Sequence, residues 1–517
     1  MSRLLCLVAA FLLLAAPLRA QDGVQTAAAG LAGGFAAQAE AVDRLGALGD
    51  PRALPILRAL SEGRLQKTPE GVLVIGGREA LTGAPAPTAP LEAVRINNRV
   101  RGALRGAFGR LELAAPEPAA RIAAAQGLFR ARSTDNIALL EDALGREGDA
   151  AVRPAMEQAL AASRLAAPDV AARRQGILLL GGTGSPEARS LLLEARAANP
   201  DLAPEIDGAI AAIDKRLQLR RAAETAFQGL SLGSVLLLAA LGLAVTFGVM
   251  GIINMAHGEM VMLGAYTTVV VQGLLRATPL APWSLPLSVP AAFLVAAAVG
   301  VALERMLIRH LYGRPLETLL MTFGVGMILQ QAVRLIFGAQ NQEVTSPAWM
   351  QGIVTLPGGV EVTQNRLWII LFALLVLAVT IAAIRFTRFG LEMRAVVQNR
   401  RIASTMGIRT GRVDAMTFAF GSGIAGMAGV ALSQIDNVSP NLGTGYIIDS
   451  FMVVVFGGVG SLAGTMIGAF TLGLVNKMLE PWAGAVLAKI AVLVGIMLFI
   501  QRRPKGLFAL KGRAAEQ

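Results

Sequence analysis

The chain has 517 residues, 54% of them hydrophobic, and a mean hydropathy of +0.57, which is too apolar for a soluble protein of this size. Its formal net charge of +12 would suit a nucleic-acid partner, but much of the excess sits in short loops between apolar runs, where it reads as membrane orientation instead. The only cysteine is Cys6 and the two histidines, His257 and His310, are far apart, which excludes disulfides and thiolate catalysis and argues against a zinc site.

Residues 1–20 predict a cleaved export signal: Arg3, the apolar run Leu4–Ala16, and an ending at the small residue Ala20. Residues 21–225 are then expected in the periplasm. They predict an all-α, HEAT-like domain of helices joined by short polar turns. Three pieces resemble one another: LGALGDPRALPIL (Leu45–Leu57), LFRARSTDNIALL (Leu128–Leu140) and LGGTGSPEARSLL (Leu180–Leu192). Each reads as a helix end, a turn with Asp, Ser or Thr placed to cap, and a new helix with apolar residues at helical spacing. Lys67–Arg95 breaks the pattern, with a small strand expected within Gly71–Gly77 and a Pro/Ala loop over Gly83–Pro90.

From Gln228 the chain predicts a polytopic α-helical membrane domain over 226–508, followed by a short tail, 509–517. Nine apolar segments are expected: Leu230–Met250, Met260–Leu275, Leu287–Leu307, Thr318–Phe337, Leu367–Ile384, Val413–Leu432, Ile447–Val459, Leu462–Met478 and Ala485–Ile500. Arg388, Arg394, Arg400, Arg401, Arg409 and Arg412 crowd the loop Phe386–Arg412, and the loops around Arg309 and Arg314 and the C-terminal tail are also basic. These are expected in the cytoplasm. Gly338–Asn365 and Gln434–Tyr446 carry acids and no base, so they are expected outside. With the N-terminal domain outside and the tail inside, the chain must cross an odd number of times. Ile447–Met478 must therefore go in and return, turning near Gly457–Gly460. Gly460, Gly464 and Gly468, and likewise Gly421, Gly423, Gly426 and Gly429, predict close helix packing.

The stretch GIINMAHGEM places Asn254, His257 and Glu259 between two apolar runs. Polar groups at membrane depth need a cavity, a partner or an aqueous boundary, so these three are candidates for a transport path or gate. They also fit a cap and turn between two helices. No P-loop, metalloprotease pattern or nucleophile elbow is present. Gly181–Ser185 is glycine-rich but lacks the lysine and reads as a repeat turn. Leu391–Ile408 predicts a short amphipathic helix followed by a turn at Gly407.

GIINMAHGEM, the step Arg314–Leu316, RFTRFGLEMRAVVQNRRIASTMGI, the VFGGVGS stretch ending at Ser461 and the closing RRPKGLF together resemble the permeases of branched-chain (hydrophobic) amino acid ABC importers, over roughly residues 227–508. The exported N-terminal domain, AQNQEVTSP (Ala339–Pro347), Leu432–Gly460 and Asn476–Ile490 resemble the urea-type branch. The resemblance implies an inner-membrane permease subunit forming half of a heteromeric pore for urea. Its partners would be a second homologous permease, two cytoplasmic ATPase subunits that bind the ATP, and a periplasmic binding protein. The chain itself would hold no cofactor and catalyse no reaction. The same type of permease for branched-chain amino acids or short amides remains an alternative, as does a stand-alone channel. For a small neutral solute, Thr322, Gln330, Gln434, Asp449 and Ser450 join the path candidates, although each also fits an interhelical hydrogen bond. Arg394, Gln398, Arg400, Arg401, Met406 and Gly407 are the expected ATPase contacts. Lys489, with Glu480 before it, is expected either in an ion pair or against a neighbouring subunit.

Overall fold

The computed structural model describes residues 23–48, 50, 52–87, 89–356, 358–504 and 506–508. The expected export signal and the tail from 509 lie outside these residues. The chain divides into two compact units that meet in sequence at Gln218 and Leu219.

The N-terminal unit contains helices over 23–29 (α1), Phe35–Leu48 (α2), Ala53–Ser61 (α3), Asn98–Leu113 (α4), Pro118–Ala131 (α5), Asn136–Arg146 (α6), Arg153–Leu165 (α7), Val170–Gly182 (α8) and Pro186–Ala198 (α9). Each of the three related pieces spans one helix end, a turn and the start of the next helix. Leu45, Leu57, Leu140, Leu180 and Leu192 from those pieces are all fully buried. The turn residues act as polar punctuation. Ser185 Oγ accepts from Ala188 N at 3.3 Å and caps α9, while Asp50 Oδ1 accepts from Arg52 N at 2.9 Å. The helices are not the whole unit. Gln66–Lys67 (β1), Leu73–Ile75 (β2), Arg78–Glu79 (β3) and Glu92–Ala93 (β4) form an antiparallel sheet in the order β3-β2-β1-β4. The expected strand within Gly71–Gly77 is β2, and Gly76 and Gly77, both at positive φ, make the turn that follows it.

Arg121 is the polar hub of this unit. Its guanidinium donates to Glu147 Oε2 at 2.8 Å and to the Ala115 and Pro116 carbonyls at 2.8 and 3.0 Å. Removing it in Arg121→Ala is expected to cost about 2 kcal/mol, from the lost charged hydrogen bonds. The Asp149 backbone N–H, together with Arg121, holds the Glu147 carboxyl below its ordinary 4.5. A depressed carboxylate contributes stability that is present above that value and lost as pH falls through the lower folded value. Rate-corrected hydrogen exchange of α5–α7 should therefore show protection falling below about pH 4.5 in the natural chain and less pH dependence in the variant.

The second unit holds most of Ala203–Met250 (α10), then His257–Leu275 (α11), Ser284–Met306 (α12), Pro315–Phe337 (α13), Gln364–Phe386 (α14), Arg388–Gln398 (α15), Arg400–Thr405 (α16), Thr410–Leu432 (α17), Leu442–Gly457 (α18) and Leu462–Arg502 (α19). Among the described residues, seven helices are long and apolar enough to cross a membrane, and α18 is a shorter apolar helix. α19 is interrupted at Gly484 (φ 77°, ψ 162°), just past Pro481, which is where the sequence separates its last two apolar segments. α18 ends at Gly457, and Gly458 and Gly460 take positive φ before α19 starts, so the chain turns back there as expected.

α17 is the centre of this unit and is buried on nearly every side. Its glycines are what let neighbours reach it. A Cβ on Gly426 would fall 2.5 Å from the Ala292 carbonyl of α12, and one on Gly421 would fall 2.7 Å from the Gly242 carbonyl of α10. Gly464 meets Gly457 across the α18–α19 turn in the same way. The outer faces of α13, α14 and α19 remain apolar and exposed, as at Leu320, Leu371 and Leu498.

α13, α14 and α17 each have 23 residues, about 35 Å of rise. They fix which loops share an end. The loops after α13 and α17 meet through paired backbone hydrogen bonds between Gln342 and Val438, at 2.8 and 3.0 Å. These two loops carry acids and no bases. The loop before α13 and the segment 388–409 lie at the opposite, arginine-rich end.

Candidate functional site

The helix pair α10–α11 is broken at Gly251–Ala256. An unwound stretch inside an apolar core must satisfy its backbone from side chains. Gly251 takes φ 67°, ending α10. Asn254, 1% exposed, turns its Oδ1 back to accept from Ala256 N at 3.0 Å. Thr322 of α13, also buried, accepts from Met255 N at 3.1 Å and donates to the Leu319 carbonyl at 3.0 Å. His257 points the other way, with Nε2 donating to the Ala239 carbonyl of α10 at 2.9 Å. Thr322→Val keeps the shape and removes the acceptor, leaving the Met255 N–H buried and unpaired. It should cost about 1–3 kcal/mol, read as a lower melting temperature of the purified chain.

The first turns of α11 and α18 meet just beyond this break. A Cβ on Gly443 would lie 2.2 Å from the Gly258 carbonyl, so the two helix starts touch backbone to backbone. Between them lies Glu259, 6% exposed. Thr444 stands beside its carboxyl group, and its Oε2 has no hydrogen-bond partner among the described residues. Gln330 Nε2 donates to Asn441 Oδ1 at 2.9 Å and to the Pro440 carbonyl at 3.2 Å, and Arg334 donates to the same Asn441 oxygen at 3.0 Å. Met327 and Phe323, on the same side of α13 as Gln330, are more than half exposed. The result is a polar wall with two helix N-termini, one carboxylate, amides, a hydroxyl and an adjoining apolar strip.

The structure thus brings together Asn254, Glu259, Thr322 and Gln330, and adds Asn441, Thr444 and Arg334, which sequence reasoning missed. The other path candidates lie apart. Gln434 is buried beside Ser433, and its backbone carbonyl accepts from Asn365 at 3.4 Å. Ser450 donates to the Tyr446 carbonyl at 2.7 Å, one turn back on its own helix. Asp449 accepts from Lys489 at 3.0 Å. Lys489 therefore pairs across to α18, not with Glu480, which binds Lys477 on its own turn. The break at Gly484 separates the two.

At the arginine-rich end, Thr387 caps α15 through Gly390 N and Asn399 caps α16 through Ile402 N. The single amphipathic helix expected there is thus two, because Asn399 takes an extended conformation (φ −156°, ψ 105°). Met393, Val396 and Ala403 pack inward with Val245 and Val413. Leu391, Ile402 and Met406 face out, with Arg401 and Gln398 also exposed. Gly407 closes α16 at φ 88°, with Ile408 N donating to the Ala403 carbonyl. Two of the expected surface arginines are engaged within the chain. Arg394 donates to the Ile384 carbonyl at 2.7 Å, and Arg400 binds both carboxylate oxygens of the buried Asp414. Arg400 also stands 4.7 Å over the Tyr312 ring, and burial raises the Tyr312 hydroxyl above its ordinary value.

The family described as branched-chain amino acid transport system / permease component matches residues 225–501, so the N-terminal unit lies outside the match. The high-affinity branched-chain amino acid transport system permease protein LivH of Salmonella typhimurium (strain LT2) is 32% identical over 289 residues, covering 54% of this chain and 93% of LivH. LivH of Escherichia coli (strain K12) is 31% identical and BraD of Pseudomonas aeruginosa 30% identical over the same lengths. No solved structure gives a significant match.

Proposed function

This chain belongs to the branched-chain amino acid transport permease family, and on that premise we propose that it forms half of the pore of an ATP-driven importer in a bacterial inner membrane. A second permease completes the pore, two ATPase subunits hydrolyse the ATP, and a binding protein delivers the solute. The observation that carries the substrate reading is the wall at the start of α11 and α18. Two helix N-termini suit a carboxylate, Glu259 suits an ammonium group, and the strip of Phe323 and Met327 suits an aliphatic side chain. Branched-chain amino acids have all three parts, and they are the solutes named for the relatives. Urea is the second reading. It is favoured by the run of amide and hydroxyl groups on Asn254, Gln330, Asn441 and Thr444, which can pair a small solute rich in donors and acceptors.

The ATPase subunits dock on Arg401, Ile402, Met406 and Gly407, the exposed rim of α16, with the arginine-rich end in the cytoplasm. The N-terminal unit then lies in the periplasm and meets the binding protein or the partner permease. Gly407 tests the docking surface. No atom lies within 4 Å of a Cβ placed there, so the Gly407→Trp side chain has room, and the left-handed backbone costs about 1–3 kcal/mol. Expected is a folded complex in which loaded binding protein no longer stimulates ATP hydrolysis or uptake. Unchanged stimulation would remove 388–409 from the ATPase contact.

A further inference from the structure

The site and the docking rim leave unused a polar cluster built on two buried carboxylates. Asp414, near the start of α17, has a fully buried side chain, and both its oxygens are held by the guanidinium of Arg400. Arg400 is the first residue of α16. Its guanidinium lies over the Tyr312 ring, and the Tyr312 hydroxyl donates to Glu304 Oε1 at 3.3 Å. Glu304 is 2% exposed and sits in the last turn of α12. Four residues therefore join α16, α17, the loop before α13, and α12. Two buried carboxylates are a costly way to hold helices together, since apolar residues of the same volume do it as well or better. What the network adds is direction. A two-pronged guanidinium clamp and a stacked ring resist sliding in a way that the apolar contacts of Met393 and Ala403 do not. α12 and α17 pack closely, because Gly300 leaves room for the Ser422 side chain: a Cβ there would fall 2.7 Å from Ser422 Cβ. α17 in turn touches α11 at Gly429 and Val261, two residues from Glu259.

We propose that Asp414, Tyr312 and Glu304 are positioning residues that carry displacement of α16 into α12 and α17, and so to the transport site. This rests on the reading of 388–409 as the ATPase contact. None of the three lies on the docking rim or in the polar wall. The test uses the full complex in liposomes, with ATPase copurification, unstimulated ATP turnover, and solute taken up per ATP in the presence of loaded binding protein. Asp414→Asn and Tyr312→Phe are expected to copurify with the ATPase and keep unstimulated turnover, while uptake per ATP falls about tenfold. Asp414→Glu, which keeps the charge, should recover most of it. An Asp414→Asn complex with natural uptake per ATP overturns the proposal. So does one that loses the ATPase, because the network would then only build the docking surface. If Asp414→Asn does not fold, Tyr312→Phe decides, since it removes one hydroxyl and keeps the ring under Arg400. Natural uptake per ATP in that variant is equally fatal. Failure of the importer reading shows separately, as a natural complex without ATP-driven uptake, and takes this inference with it.

Discussion

Gly264→Leu should leave no working complex. A Cβ at Gly264 would fall 2.0 Å from the Gly426 carbonyl, and one at Gly429 would fall 2.0 Å from the Val261 carbonyl. α11 and α17 therefore touch main chain to main chain at successive turns, and even a methyl group must part them. Overpacking of this kind costs about 3 kcal/mol or more when the obstacle is backbone. Because α11 carries Glu259 and α17 is the buried centre of the unit, separating them also moves the polar wall. The expected readouts are a large fall in melting temperature and loss of uptake. Gly273→Leu on the same helix is the control, since nothing lies within 4 Å of its Cβ. It should behave as the natural chain. A Gly264→Leu protein with the natural melting temperature would mean that the two helices do not meet there.

Glu259→Gln carries the second large effect, and it separates the two solutes. If the carboxylate receives an amino acid's ammonium group, loss of that buried charge costs about 2 kcal/mol or more, or roughly thirtyfold in uptake of leucine at limiting concentration. Urea has no charge to lose. The glutamine amide still offers an acceptor and adds a donor, so urea uptake should change by only a few-fold, on the order of 1 kcal/mol for one exchanged hydrogen bond. Asn254 and Thr322 should matter to both solutes alike, because they hold the backbone at the break and do not present charge.

Much of this architecture is legible in the sequence because membrane helices are written locally. Apolar runs of bilayer length, glycines at four-residue spacing and arginines between runs each act over a few residues. The turn at Gly457–Gly460 and the break before Ala485 follow from such signals. The polar wall does not. Gln330 meets Asn441 across 111 residues, and Met255 meets Thr322 across 67. Neither Asn441 nor Thr444 stands out in sequence, since each looks like an ordinary loop or cap residue. Arg400 is the instructive case. In sequence it is one of several arginines in a basic loop, and its charge alone assigns it to the surface. The fold turns it towards Asp414, which itself reads as an unremarkable acid at the start of a helix. Burial decides which of these charges has a structural partner, and burial comes from long-range packing. The small β1–β4 sheet was only partly readable for the same reason. The β-branched centre of β2 marks a strand, but the two-residue strands beside it carry no pattern of their own.

The most direct test of the importer reading is ATP hydrolysis measured together with solute uptake, by the assembled complex in liposomes with its own binding protein, comparing leucine with urea. The account predicts uptake that requires ATP and loaded binding protein, with leucine stimulating hydrolysis. Stimulation by urea alone keeps the machine and its coupling segment and transfers the site to the second solute. Uptake of either solute by the membrane subunits without ATPase or ATP would contradict the account and make the protein a channel.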